Sequence, residues 1–148
     1  YTSLNLGFHV GDREENVLTN RRRFSEAMGI DLQGWVAGQQ VHGSDVAVVG
    51  RKDRGRGASS QDTALPAVDG LVVKESGVWL TCYYADCVPL LFWDTQGNTV
   101  GIAHAGWRGT LAKVGLKAAA KMMEVSGASP DEIHVLVGPA IGSCCYSV

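Results

Sequence analysis

An α+β fold, with mixed β-sheets and helices packed outside them in a single domain, is what this sequence predicts. Three observations carry that expectation. Four short apolar runs between residues 68 and 103 follow one another with only turn signals between them, so consecutive strands come without a helix in each connection. Only two segments, 12–28 and 110–125, place apolar residues at helical spacing. No repeat or linker divides the 148 residues, a length that suits one domain able to bury roughly 70% of its unfolded surface.

Taken in order, Asp12-Arg13-Glu14-Glu15 reads as a helix start, with Asp12 as N-cap and Glu15 closing a capping box. Val17, Leu18, Phe24 and Met28 supply its buried stripe, and Gly29 its stop. Trp35 to Ala37 and Val46 to Val49 read as strands flanking a turn at His42. Residues 51–66 are polar, contain glycine and end at Pro66, the pattern of an exposed, mobile loop. Val68 to Lys74, Val78 to Tyr84, Pro89 to Trp93 and Thr99 to Ala103 are strands, the last two joined by a hairpin at 94–98, and Asp69-Gly70 is a turn into the first of them. Then the period changes. Thr110 to Val125 predicts one long helix burying Leu111, Val114, Leu116, Ala118, Met122 and Met123, with Lys113, Lys117 and Lys121 along it. Gly127 stops it, Pro130 opens a short turn, and Ile133 to Val137 is the last strand.

Composition narrows the function. Hydrophobic residues make up 45% and charged ones 19%, which is ordinary for a globular protein. Thirteen basic against fifteen acidic residues give a formal charge of −2, so nothing forces a polyanionic partner. The runs Arg21-Arg22-Arg23 and 51–56 read as solvated surface, with no interleaved aromatics to suggest nucleic acid. No apolar run approaches the roughly 18–20 residues of a membrane span, and no signal-peptide pattern opens the chain. Tyr1 stands first, as in a processed, tagged or partial chain. The four cysteines, two of them adjacent, lack the spacing of a secreted disulfide scaffold and point to a reducing cytoplasm.

Three strand-to-turn segments end in borderline-soft metal ligands: 40–45 with His42, 81–87 with Cys87, and 101–109 with His104. Two imidazoles and a thiolate suit zinc, and three protein ligands leave a fourth position for water or substrate. The separations of 45 and 17 residues follow no zinc-finger rule, so spacing alone does not join them. Taken singly, a histidine in a turn is a surface hydrogen-bonding residue and a cysteine beside an apolar strand is core.

The motifs Ser3 to Asp12, Gln39-Gln40-Val41-His42-Gly43, Ala67-Val68-Asp69-Gly70, Thr81 to Leu91, Ala103 to Gly109 and Gly138-Pro139-Ala140-Ile141-Gly142 follow one another in order. In these the chain resembles the YfiH family, also called the laccase-domain or multicopper polyphenol oxidoreductase family, from near residue 2 to residue 148. The resemblance implies a zinc-dependent purine nucleoside phosphorylase that cleaves adenosine and inosine with phosphate. It also implies side activities as adenosine deaminase and methylthioadenosine phosphorylase. Some members are called laccases, and the bacterial protein is also named a peptidoglycan-editing factor. The family's metal ligands map onto His42, Cys87 and His104, which double as the candidate catalytic residues. Family chains begin further upstream and run well past the Cys144-Cys145-Tyr146 segment, and Ser147 stands where many members carry Glu. Against that pattern the domain is incomplete at both ends.

Around the ligands, Asp86 either orients a histidine from behind or serves as a polar turn residue. Arg108, near a helix start, is either a phosphate ligand or surface. Asn5 and His9 are candidates to line the same pocket. Trp107 either stacks a purine or packs on the core. Cys82, Cys144 and Cys145 read as packing residues, and His134 as structural. Four functions compete: a zinc enzyme on purine nucleosides; a copper oxidase of phenols, for which four histidines are few; a metal-free Cys87–His104 hydrolase; and a non-catalytic binding module.

Overall fold

The computed structural model describes residues 4–147, so Ser3 of the first motif lies outside the described residues. Among the described residues, seven strands form two sheets. A two-stranded parallel sheet pairs β1 (Trp35–Ala37) with β4 (Trp79–Thr81). The larger sheet takes β2 (Val46–Val49), β3 (Gly70–Val73), β5 (Val88–Asp94), β6 (Val100–Ala105) and β7 (Ile133–Val137) in the order β2-β3-β6-β5-β7. Its β2–β3 pair is parallel and the other pairs are antiparallel. The mixed sheets and single-domain α+β architecture agree with the sequence reading, and β1, β2 and β7 have the predicted bounds.

Strand pleating divides the core in two, because successive side chains point to opposite faces. Val72 of β3 joins Phe92 and Ala103 under helix α3 (Val114–Ser126), which inserts Val114, Ala118 and Met122. Leu71 and Val73 turn the other way, to Val36, Val49 and Val78 between the sheets.

The helices depart from expectation in instructive ways. Helix α1 spans Glu14–Met28 and is flanked by Arg13, with no side-chain cap. Asp12 instead accepts from the Arg13 amide (2.8 Å) and the Asn5 side chain (3.1 Å), while Glu15 pairs with Arg13 (2.9 Å). Its buried face is Val17, Arg21 and Ser25, whereas Met28 is 60% exposed. Arg21, read above as surface, is fully buried. Its guanidinium donates to the carbonyls of Leu6, Gly57 and Ala58 at 2.6–2.8 Å and lies over the Phe8 and Tyr83 rings. Those bonds also correct the reading of 51–66. Ala58 and Ala64 are buried, and backbone hydrogen bonds tie Arg56 and Leu65 to Ala37 of β1. The segment is a packed layer, not a free loop.

The single helix predicted over 110–125 is two. A five-residue α2 (Trp107–Leu111) is separated from α3 by Lys113 at φ 64. A Cβ on Gly109 of α2 would come within 2.5 Å of the Gly43 carbonyl. α2 is thus seated on the His42 turn, and the break lets α3 lie over the sheet. The break rotates Leu111 and Leu116 out of the stripe, leaving them 74% and 67% exposed. Among the described residues no helix is long and apolar enough to cross a membrane.

Candidate metal centre

Asp69, the residue before β3, organises the site. Its carboxylate accepts the amides of Val41 (3.1 Å), His42 (3.0 Å) and Gly43 (2.8 Å), and holds His42 in a left-handed conformation at φ 60. The same carboxylate lies 2.9 Å from Nδ1 of His104, on β6. Burial pushes the Asp69 carboxyl up. The hydrogen bonds from His104 and from the Gly43 and Val41 amides outweigh it, so the group sits below the usual carboxylate range and is charged. Asp69 is 0% and His104 4% exposed, and a buried carboxylate needs this degree of satisfaction.

With Nδ1–H given to Asp69, the other His104 nitrogen is free to bind a cation, the pairing that ligating histidines almost always show. The ligand atoms of His42, Cys87 and His104 all lie within 4.8 Å of one another. The two imidazoles meet edge to face at 4.8 Å between centroids. Bonds of about 2.0–2.3 Å in a tetrahedral zinc site put ligand atoms roughly 3.5 Å apart, a contraction that small side-chain rotations supply. Gly106 makes the approach fit: a Cβ there would meet His42 Cδ2 at 3.0 Å and Cys87 Sγ at 3.1 Å. Burial, then the Asp86 and Asp69 carboxylates, push the Cys87 thiol up. A divalent cation is the partner that reverses this and favours thiolate. The donor set and the buried carboxylate fit a single zinc or copper ion.

A cavity of about 460 Å³ opens onto His42 and His104, walled by Asn5, His9, Gln40 and Tyr83. Both Asn5 and His9 line this cavity. The Asn5 amide is occupied in shaping its own turn, accepting from Gly7 N (2.9 Å) and donating to Asp12 (3.1 Å). Burial, and then the Arg21 charge and the nearby His104 and His42 rings, lower the His9 pKa below its ordinary value. Gln40 locks the wall by exchanging two 2.8 Å hydrogen bonds with the Tyr83 backbone. A second cavity of about 470 Å³ reaches Cys87 from the other side, lined by Asp86, Gly106, Trp107, Ile141 and Tyr146 among others.

The remaining candidates fare unevenly. Asp86 is exposed and engages Ile141 through its backbone oxygen. The carboxylate that orients a histidine is Asp69, which had read as a mere turn residue. The signal was present in the Ala67-Val68-Asp69-Gly70 motif, but turn chemistry explained the Asp-Gly pair equally well. Arg108 is exposed, with its guanidinium carbon 5.2 Å from the Trp107 ring centroid, and it lines neither cavity. Cys144 and Cys145, expected to pack, are exposed with sulfurs 3.2 Å apart.

Known proteins fall in line with this geometry. The family described as multi-copper polyphenol oxidoreductase laccase matches residues 1–148. A protein named purine nucleoside phosphorylase YlmD from Geobacillus stearothermophilus is 45% identical over the whole chain and 54% of its own length. Its namesake from Bacillus subtilis is 41% identical, over 53% of that protein. Adenosine deaminase RL5, from an unknown prokaryotic organism, is 36% identical over 57% of its length. The crystal structure of YlmD from G. stearothermophilus superposes with a TM-score of 0.95 at 46% identity, covering 99% of this chain and 54% of that one. That of Bacillus licheniformis hypothetical protein YfiH gives 0.94 at 42%, covering 99% and 55%. The chain spans about half the length of the relatives it matches. Matched from end to end in sequence and superposed on solved structures of YfiH and YlmD, the chain belongs to the laccase-like YfiH family.

Proposed function

We propose that the protein carrying this chain is a cytoplasmic, zinc-dependent purine nucleoside phosphorylase. It cleaves adenosine and inosine with phosphate, with adenosine deamination and methylthioadenosine phosphorolysis as side activities. One observation carries the reading: a His–Cys–His group within 4.8 Å, oriented by a buried carboxylate, at the wall of a cavity of about 460 Å³. The names of the relatives, two phosphorylases and a deaminase, support the substrate class.

When bound, zinc supplies a Lewis acid that polarises an oxygen of water or substrate. The chain's residues do the rest. Asp69 keeps the proton on His104 Nδ1 and fixes that ring, while His42 is fixed through its own backbone. His9, kept neutral near pH 7 by its lowered pKa, offers a ring nitrogen that accepts from a ribose hydroxyl. Arg108, exposed beside Trp107 and outside both cavities, would meet phosphate through its planar guanidinium as the anion arrives from solvent. In phosphorolysis the bond from C1′ to the purine nitrogen breaks, a phosphate oxygen bonds to C1′, and the purine leaves with a proton.

The other readings have less support. A laccase needs several coppers, whereas the described residues hold one group of three ligands. A Cys–His hydrolase needs a readily formed thiolate, and burial, then the Asp86 and Asp69 carboxylates, oppose it at Cys87.

The test is metal content of protein purified without added metal, followed by turnover of adenosine and inosine with and without phosphate. About one zinc per chain is expected, with phosphate-dependent release of the base. Chelation should abolish turnover and zinc return should restore it. Turnover that survives chelation overturns the metal reading, and a zinc-loaded protein inert towards both nucleosides overturns the purine reading.

A further inference from the structure

Cys144 and Cys145 lie outside the candidate metal centre, and they are the two exposed thiols of the four. They sit in a turn closed by the Gly142 carbonyl, which accepts the amides of Cys145 (3.0 Å) and Tyr146 (3.1 Å). Just upstream, the Ile141 amide donates to the Asp86 carbonyl (3.0 Å) and ties the turn to the body of the fold. The turn brings the two sulfurs to 3.2 Å. Neither cysteine lines the cavity at His42 and His104 or the cavity at Cys87.

We propose that Cys144 and Cys145 form a chelating site for trivalent arsenicals of the type R–As(OH)2, taken up as a cyclic dithiolate. Each sulfur forms a bond to arsenic, and each thiol proton leaves with a hydroxide as water. Arsenic stays trivalent and no sulfur is oxidised, so the step needs no further reagent. Three observations select this occupant. The hydrogen-bonded turn holds the second thiol beside the first, so the second bond to arsenic forms within the complex. Zinc takes four donors, and His42, Cys87 and His104 are the one group of three among the described residues. An arsenical with one organic substituent needs just two sulfurs. A disulfide would have to draw the sulfurs from 3.2 Å to about 2.05 Å. It would do so on neighbouring Cα atoms about 3.8 Å apart, below the usual span of about 4.4–6.8 Å. A bridge so strained is readily reduced, which leaves the pair as thiols. Contact with Cys144, then burial, raises the Cys145 thiol above its ordinary range, so it arrives with the proton that the departing water takes. Burial pushes the Cys82 thiol up to about 12, and Cys87 stands with two imidazoles, so neither offers a second exposed sulfur.

The test uses the whole protein that carries this chain, treated with phenylarsine oxide in excess glutathione. Intact mass should show one phenylarsenic group in place of two hydrogens, retained against glutathione and released by ethanedithiol. Tryptic digestion should place it in the peptide that begins at Met122, which holds Cys144 and Cys145 and neither Cys82 nor Cys87. Cys144→Ser and Cys145→Ser should each raise the apparent Kd about 100-fold or more, as the chelate falls to a single bond. An adduct that glutathione strips from the unaltered protein overturns the proposal. So does one that maps only outside that peptide, or one that survives undiminished in either serine variant. The peptide assignment is read on unaltered protein, so it decides the matter even where a variant fails to fold.

Discussion

The two halves of the candidate metal centre are built on opposite plans. On the imidazole side everything is fixed in advance: Asp69 is fully buried, takes three backbone amides and the His104 ring, and accepts them all at 2.8–3.1 Å. On the thiol side Cys87 is half-buried just before β5, and burial, then the Asp86 and Asp69 carboxylates, disfavour the thiolate. One half is held by the fold; under the proposed reading the other would be completed by the ion. The difference teaches that affinity and stability are separable here, since one residue governs the first and another governs both.

That separation can be broken experimentally. Cys87→Ala should abolish stoichiometric zinc and all turnover while leaving the metal-free protein's thermal midpoint within about 2 °C, because a surface-accessible thiol adds little to folding. Retained zinc by elemental analysis would show that the thiol is not a ligand. Asp69→Asn should weaken zinc by about 10–100-fold and also lower the metal-free protein's stability by roughly 1–3 kcal/mol, as amides lose a charged acceptor. Denaturant unfolding of the metal-free form reads this second effect, and its absence would erase the contrast. Arg108→Ala should raise the phosphate requirement by about 1.5–3 kcal/mol, the value of a charge-assisted hydrogen bond, with zinc content intact. An unchanged phosphate dependence returns Arg108 to the surface. The smallest effect on metal belongs to Asp86→Asn, about twofold or less in zinc affinity measured by chelator competition. A loss like that of Asp69→Asn would mean the two carboxylates share the orienting role.

The sequence showed more of the fold than of the site's supports. Strand runs are legible because apolar stretches between turn residues leave few alternatives, and three strands fall where expected. Helical periodicity misled at Lys113, because the apolar pattern runs on through a break where Lys113 takes φ 64. Arg21 was read as surface because charge implies water. Its burial depends on carbonyls 15, 36 and 37 residues away, which no local window contains. The ligands His42, Cys87 and His104 were reached through motif resemblance, and the described residues bring them together. Asp69 was missed for the opposite reason: a local explanation was already sufficient.

The bonds that Asp69 makes to 41–43 and to 104 join segments 26–28 and 35 residues away along the chain. Such a knot closes loops of 26–35 residues, whose entropy must be spent before its bonds can form. It must wait until β3 has paired with β6 and the turn after β1 has docked, which makes it a late event in a topology dominated by distant contacts. Under the proposed reading, uptake of the ion would then report the end of folding. In a refolding experiment begun without metal, backbone structure should recover first and competence to take up zinc should lag behind it.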